Sequence, residues 1–154
     1  MRTHLFLFVL GALSVASTCQ EPSKTGKMDE AVRGLAHLHT WDPSTEAKGN
    51  LSYDIVMGWG KEIVPVLVAH LTDETPTLLY DKTFDITVVL GDICFYLLLK
   101  LTETEWKTFF EDGVFVTTLL PNPIFCIRWK DPSLQTRRRV QVHFLKILPP
   151  PEDQ

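Results

Sequence analysis

A cysteine and a histidine in the C-terminal part of the chain are the residues whose types best fit nucleophilic chemistry. Cys126 lies in the segment "PIFCIRW", and His143 follows it further along the chain. A cysteine nucleophile needs a base within reach and a polar environment that favours the thiolate. No histidine is close to Cys126 in sequence. A cysteine-dependent enzyme that uses Cys126 and His143 therefore requires the fold to bring them together.

The sequence contains no other signature of catalysis. It has no GxSxG, HExxH, CxxC, phosphate-loop or Rossmann glycine pattern. His37 and His39 would point to different faces of a helix and so could not chelate one ion together, although in an extended segment they could. Two surface or half-buried histidines are the expectation. We therefore expect a protein that is not an enzyme and that uses no metal and no cofactor. The enzyme based on Cys126 and His143 is the alternative.

Basic residues concentrate in the segment 128–146, where Asp131 is the only acidic residue. They are Arg128, Lys130, Arg137, Arg138, Arg139 and Lys146. Three consecutive arginines fan around a helix, so at least two of them should reach solvent. A patch of four of these side chains could touch anionic headgroups or an acidic partner: Arg137, Arg138, Arg139 and Lys146. Trp59 is a further candidate contact. The alternatives are a solvated helix face, with one arginine paired to Glu111 or Asp112, and a tryptophan that packs in the core.

The overall charge excludes one class of partner. The 154 residues include 19 Asp and Glu against 15 Lys and Arg, which gives a net charge of −4. A protein that covers nucleic acid with its whole surface needs a basic face to neutralise phosphates, so we expect no nucleic-acid partner. The length predicts a single domain.

The N-terminal segment has the three regions of a secretory signal. Arg2 supplies the positive charge, residues 5–13 ("LFLFVLGAL") are apolar, and residues 14–18 are small or polar. The apolar run is much shorter than the roughly 20 residues that span a bilayer. We expect residues 1–18 to be a signal peptide and the protein to be exported, to the periplasm or the cell surface. A buried N-terminal helix or strand is the alternative.

The place of cleavage has two interpretations. Ser14 and Ala16 have the spacing of small residues that precede a cut, which predicts cleavage after Ala16. The segment "ASTC", however, resembles the signal of bacterial lipoproteins. That resemblance implies that Cys19 becomes the first residue and carries the lipid. Residues 19–26 would then form a polar tether to the membrane.

An odd number of cysteines in an exported protein needs an explanation. If Cys19 carries a lipid, Cys94 and Cys126 remain and could form a disulfide that stabilises the domain. The alternative is that Cys94 is a free and buried cysteine, because its neighbours Ile93 and Phe95 are apolar.

The elements that must position these residues are predicted to be mostly helical, in a domain at 27–148 followed by a proline-rich tail at 149–154. The predicted helices are 27–41, 51–57, 61–71, 86–101, 102–113 and 133–148. Asn50 is expected to cap the helix 51–57, and Pro65 to lie within the first turn or so of the helix 61–71. The last helix is expected to carry one stripe of residues, Leu134, Gln141, Phe144, Leu145 and Leu148. The segment "FDITVV" (84–89), which is rich in β-branched residues, could instead form a short strand, as could residues from Val140 onward. The segment 114–130 is predicted to be a loop with some strand character.

One stretch carries a family resemblance. A helix, a glycine turn and then "VPVLVAHLTD" resemble a HEAT repeat. The residues that carry the resemblance are Ile55, Val56, Gly58, Val64, Pro65, Leu67, Leu71 and Asp73. It implies an all-α fold of HEAT- or armadillo-like hairpins, whose stacked surfaces bind other proteins. An irregular helical bundle, with or without a short strand pair, is the alternative. The expected function is an exported, lipid-anchored binding or scaffold module whose protein partner is unknown.

Overall fold

The structure is a computed structural model, which describes residues 21–42, 46–82, 85–105, 115–117, 127–129 and 134–148. Several predictions concern residues outside these ranges. They are the signal peptide, the lipid site Cys19, Cys126, most of the predicted helix 102–113, and the tail.

Within the described residues the chain is mostly helical, as predicted, and it adds two short antiparallel strand pairs. The helices are α1 (Lys24–Gly34), α2 (Leu51–Trp59), α3 (Val64–Ala69), α4 (Leu90–Thr102) and α5 (Leu134–Ile147). The strands are β1 (Pro76–Asp81), β2 (Ile86–Val89), β3 (Phe115–Thr117) and β4 (Ile127–Trp129). β1 pairs with β2, and β3 pairs with β4.

Helix α1 begins at Lys24, within the predicted tether, rather than at Lys27. The reason is a local cap, because the Ser23 hydroxyl accepts a hydrogen bond from the amide of Gly26 at 3.1 Å. Met28 and Val32 face the core at helical spacing. The helix tightens into a 3-10 turn at Leu35–His37 and does not continue to residue 41.

The predicted helix at 61–71 is shorter and less regular than expected. Asn50 caps α2, as predicted, by accepting a hydrogen bond from the amide of Tyr53. Gly60 has a φ of 56°, a conformation that glycine adopts without strain, and it ends α2. Pro65 lies in the first turn of α3. The flanking residues of α3 form 3-10 turns, Gly60–Ile63 and His70–Thr72.

One helical stretch of the described chain, Leu51–Thr72, is long and apolar enough to cross a membrane by length and composition alone. In the structure it turns at Gly60 and contributes to the core. Its fully buried residues include Tyr53, Val56, Ile63, Leu67 and Leu71.

Strand β1 was not predicted, whereas β2 lies in the segment 84–89, for which a short strand was the alternative to the start of a helix. The two strands are antiparallel, with Tyr80 opposite Thr87. Side chains alternate along β1, because Thr77 is buried and Leu78 is exposed. The predicted helix 86–101 was therefore wrong in its first turn, where the chain is extended.

Helix α4 ends at Thr102, and the predicted helix 102–113 does not continue directly from it. Glu103 has a φ of 55° and closes the helix in the left-handed conformation. The next residues up to Glu105 are not helical, so the prediction of a helix that starts at Thr102 fails for the part that is described. β3 and β4 agree with the strand character expected within 114–130.

Helix α5 confirms the predicted C-terminal helix and excludes the alternative strand from Val140. HEAT-like repeats are not seen among the described residues. In a HEAT repeat the two helices pack against each other, whereas here α2 packs mainly on α1, and α3 packs mainly on α4. The core lies among these four helices, α5 and the inner face of β1 and β2.

Candidate functional site

The last helix, α5, is attached to the core by one side. Val140 and Phe144 are fully buried, and the Phe144 ring meets the Phe95 ring of α4 edge to face, with 6.2 Å between centroids. Gln141 donates from Nε2 to the carbonyl of Val68 at 2.8 Å, which satisfies an acceptor near the end of α3. These contacts determine which side of α5 faces solvent.

The inner side of α5 also carries a buried ion pair. Arg137 donates from Nη2 to Oδ1 of Asp92 at 2.9 Å, and the two side chains are only 5% and 14% exposed. Asp92 lies in the first turn of α4, where the helix dipole favours a negative charge. Its other oxygen accepts a hydrogen bond from the amide of Val89. The ion pair therefore connects α5 with the start of α4.

Gly91 makes room for this pair. A Cβ atom at that position would lie 2.6 Å from the carbonyl oxygen of Leu71 and 2.7 Å from Nη1 of Arg137. The Gly91 amide donates to the carbonyl of Asp73 at 2.9 Å. The guanidinium therefore fits only because residue 91 has no side chain.

The outer side of α5 combines cations with apolar side chains, and we call it the α5 face. Its exposed residues are Leu134, Gln135, Arg138, Arg139, Val142, Leu145 and Lys146. Leu145 is 58% exposed and Val142 is 48% exposed, so this side of the helix presents apolar surface to solvent beside its cations. No acidic residue occurs in α5. This face is the candidate functional site.

The structure separates the residues that the sequence grouped into one patch. Arg137 is 4% exposed, because its guanidinium forms the ion pair with Asp92 on the inner side of α5. It therefore does not belong to an exposed patch. Arg138, Arg139 and Lys146 are exposed. Trp59 is half-buried at the end of α2, where the Lys24 ammonium lies 5.4 Å from its ring centroid.

The predicted chemistry of the cysteines is resolved for Cys94 alone. Cys94 is buried and free in the structure, as one alternative expected. Cys126 lies outside the described residues, so the disulfide between the two cysteines stays a prediction. Burial raises the pKa of its thiol, and the carboxylates of Asp73 and Asp92 raise it further. Cys94 is therefore an uncharged apolar filler of the core. His143 is half-buried, and its ring meets that of Phe144 edge to face.

A polar cluster beside α1 was not predicted from the sequence. The His70 ring lies between two carboxylates, with Nε2 2.8 Å from Oδ1 of Asp29 and Nδ1 3.0 Å from Oδ2 of Asp73. The spacing of His70 and Asp73 could have indicated a local contact, because they are three residues apart. The contact with Asp29 joins distant parts of the chain and had no local signal. Among the described residues, no group of His, Cys, Asp and Glu could hold a metal ion.

A second polar cluster was also missed. The Glu46 carboxylate, 14% exposed, accepts hydrogen bonds from the hydroxyls of Tyr53 and Tyr96 and from the ammonium of Lys100. Burial and the neighbouring Glu46 carboxylate raise the pKa of Tyr96, so this phenol remains a donor. The Trp41 ring meets both tyrosine rings edge to face. This cluster joins Glu46 to α2 and α4, and the indole N–H of Trp41 beside it is buried without a hydrogen-bond partner among the described residues.

Comparisons with known proteins add no assignment: no family model matches the chain, and neither the curated proteins nor the solved structures contain a match.

Proposed function

We propose that this chain is an exported, non-catalytic binding module that docks through the α5 face on an anionic membrane surface. The observation that carries the proposal is the combination of Arg138, Arg139 and Lys146 with exposed Val142 and Leu145 on one side of a helix. Cations near an anionic bilayer contribute about 1 kcal/mol each, and apolar side chains add to binding when they enter the headgroup region.

The positions of the exposed residues around the axis of α5 place them on one continuous surface. Residues three or four positions apart lie on the same side of a helix, so Leu134, Arg138, Val142 and Leu145 form a stripe. Arg139 and Lys146 flank it on one side. The apolar residues lie within the stripe, and the cations extend to its edge, the arrangement in which charged heads reach lipid phosphates while apolar side chains point to the acyl boundary. An acidic protein surface would satisfy the cations but would leave the apolar residues without a matching environment.

The predicted localisation of the protein, exported and attached to a membrane, agrees with this role. A chain that is exported and tethered through Cys19 stays within reach of a membrane. A short tether raises the effective concentration of a second, weaker contact. The α5 face then need not bind tightly by itself. The same proposal includes a second use of the helices: an unknown protein partner binds to their surface, as partners of HEAT-like hairpins do.

The α5 face is tested by co-sedimentation of the mature chain, unacylated through Cys19→Ser, with vesicles. We expect binding to vesicles that contain phosphatidylglycerol and little binding to pure phosphatidylcholine. The triple variant Arg138→Gln, Arg139→Gln, Lys146→Gln should bind roughly 100-fold more weakly, because three contributions of about 1 kcal/mol are lost. Added salt should weaken binding of the wild-type chain.

A matched control removes three exposed lysines elsewhere, with the same change in net charge: Lys27→Gln, Lys48→Gln, Lys61→Gln. This variant should retain most of the binding. Equal binding of the wild-type chain to both vesicle types would contradict the proposal. So would an equal loss in the two triple variants, because binding would then follow net charge and not the α5 face.

The predicted anchor is tested separately, by mass spectrometry of the N-terminus of the mature protein. We expect the first residue to be Cys19, with the added mass of acyl chains. Cys19→Ala should move the protein from the membrane fraction to the soluble fraction at high salt, where the α5 contact is screened. A mature chain that begins at Ser17 without acyl mass would contradict the anchor and leave the α5 face to be judged by the vesicle assay.

A further inference from the structure

The last turn of α5 presents three consecutive side chains to solvent, and we call these three residues the α5 tip. Leu145 is 58% exposed, Ile147 is 51% exposed, and Lys146 lies exposed between them. Successive residues of a helix are rotated by about 100° about its axis, so three in a row cover more than half of the helix surface. The α5 tip is therefore open to solvent on a wider arc than the middle of α5, where Val140 and Phe144 are buried.

Helix α5 runs antiparallel to α3, which places the α5 tip near the start of α3. The Arg137 guanidinium lies beside Gly91 and the turn that follows α3. One turn further along α5, Gln141 donates to the carbonyl of Val68, inside α3. Each step along α5 therefore moves back along α3, and the α5 tip lies towards Val64, the residue at which α3 begins.

Helix α1 begins at the same end of α3. The ammonium of Lys24, the first residue of α1, lies 2.6 Å from Oε2 of Glu62, in the 3-10 turn directly before α3. Further along α1, Asp29 contacts His70, directly after α3. The two helices therefore run in the same direction, and the predicted tether joins the domain at the end where the α5 tip lies.

The length of the predicted tether limits the distance between this end of the domain and a membrane. If Cys19 carries the lipid, residues 19–23 precede α1 and reach at most about 17 Å. Helix α5 has 14 residues and is therefore about 21 Å long. A domain that is held at the start of α1 brings the α5 tip to the bilayer before the first turn of α5.

Given the membrane contact proposed for the α5 face, we propose that the α5 tip is the part of the helix that enters the bilayer, beside the predicted lipid anchor. Leu145 and Ile147 reach the boundary between headgroups and acyl chains, and Lys146 extends its ammonium to the lipid phosphates. Helix α5 has no acidic side chain that would repel these phosphates. The earlier turns of the α5 face, around Arg138, contact headgroups without entering the apolar layer.

A comparable apolar pair on α2 lacks these features. Leu51 is 74% exposed and Ile55 is 41% exposed, but the exposed carboxylate of Asp54 lies beside them. Ser52 packs against Gly34, the last residue of α1, so the start of α2 lies at the end of α1 that is away from the tether. The same two residue types therefore occur on α2 without a cation between them and without a nearby anchor.

Substitutions of both pairs test the α5 tip by co-sedimentation of the mature chain, unacylated through Cys19→Ser, with phosphatidylglycerol vesicles. Leu145→Ser with Ile147→Ser should weaken binding at least about tenfold, because two inserted aliphatic side chains are lost. The matched control Leu51→Ser with Ile55→Ser should bind as the wild-type chain does. Equal losses in the two double variants would overturn the proposal, as would a loss below roughly threefold at the α5 tip.

The depth of the α5 tip is measured on the mature chain with its native N-terminus. A fluorescent amino acid replaces Ile147 or Leu134, which is 39% exposed in the first turn of α5. Nitroxide groups on the acyl chains should quench the fluorophore at position 147 more strongly than nitroxide groups on the headgroups, and the reverse should hold at position 134. The same quenching pattern at both positions, or a deeper position 134, would overturn the proposal.

The two levels of the account can fail separately. A wild-type chain that does not bind phosphatidylglycerol vesicles would contradict the membrane contact of the α5 face and the α5 tip with it. Binding that depends on Arg138, Arg139 and Lys146 but survives the loss of Leu145 and Ile147 would contradict the α5 tip alone.

Discussion

Asp92→Ala is expected to lower the free energy of unfolding by about 3–5 kcal/mol, because it leaves Arg137 buried without its counter-charge. The guanidinium is only 5% exposed and cannot regain water unless α5 moves. The substitution also removes the acceptor for the amide of Val89 at the start of α4. The measurement is urea unfolding followed by circular dichroism, with the change read from the transition midpoint at constant slope.

The loss of charge can be separated from the loss of the cap. Asp92→Asn keeps an oxygen that can accept from Val89 and removes only the negative charge. The double variant Arg137→Met, Asp92→Asn removes both charges and should recover a large part of the stability lost in Asp92→Ala. A cost below about 1 kcal/mol for Asp92→Ala would mean that the ion pair does not hold α5 as described.

Gly91→Ala is expected to destabilise the domain by about 3 kcal/mol, although alanine is the better helix former. The new methyl group would meet the Leu71 carbonyl at 2.6 Å, and this atom is backbone and cannot rotate away. It would also push on the Arg137 guanidinium and on the hydrogen bond from Gly91 to Asp73. Thermal and urea unfolding measure the effect.

Gly58 provides the matched control. It lies in α2, is exposed, and has nothing within 4 Å of the position that a Cβ atom would take. Gly58→Ala should stabilise the protein by about 0.5–1 kcal/mol, through the lower conformational entropy of the unfolded chain. Equal and small effects at both glycines would show that the contact between α4, the turn after α3 and α5 is loose.

These two expectations share one structural cause. The start of α4, the turn that follows α3 and the inner side of α5 meet at Gly91, so this junction determines the rotation of α5 about its own axis. The α5 face points outward as a consequence. A change at the junction should therefore weaken vesicle binding as well as stability, whereas Gly58→Ala should leave vesicle binding unchanged.

The elements with strong local signals were predicted from the sequence. Asn50 as a cap predicted the start of α2, and the β-branched residues of the segment 84–89 indicated a short strand as the alternative to the helix predicted from Ile86. Pro65 was placed correctly in the first turn of its helix. Such signals depend only on neighbours along the chain, which is why they are legible without a structure. The antiparallel partner β1 depends on pairing across a turn and was missed.

The rotation of α5 could not be predicted in the same way. An apolar stripe was expected to include Leu134 and Leu145, yet both are exposed. The inner side instead contains Arg137, which is paired with Asp92. This partner lies 45 residues away in the chain, so no local pattern indicated the pair. Helical periodicity assigns apolar residues to the core and has no means of seeing a buried ion pair. The expected patch therefore included one arginine too many, and the apolar half of the α5 face was overlooked.

The central claim, that the α5 face lies on an anionic membrane, is tested most directly by photo-crosslinking. Benzoyl-phenylalanine is introduced in place of Leu145, on that face, or in place of Leu51, which is 74% exposed on α2. Each mature protein is irradiated on vesicles that contain phosphatidylglycerol, and lipid adducts are identified by mass spectrometry. We predict adducts at position 145 and not at position 51. Adducts at position 51 alone, at both positions equally, or at neither position would contradict the claim.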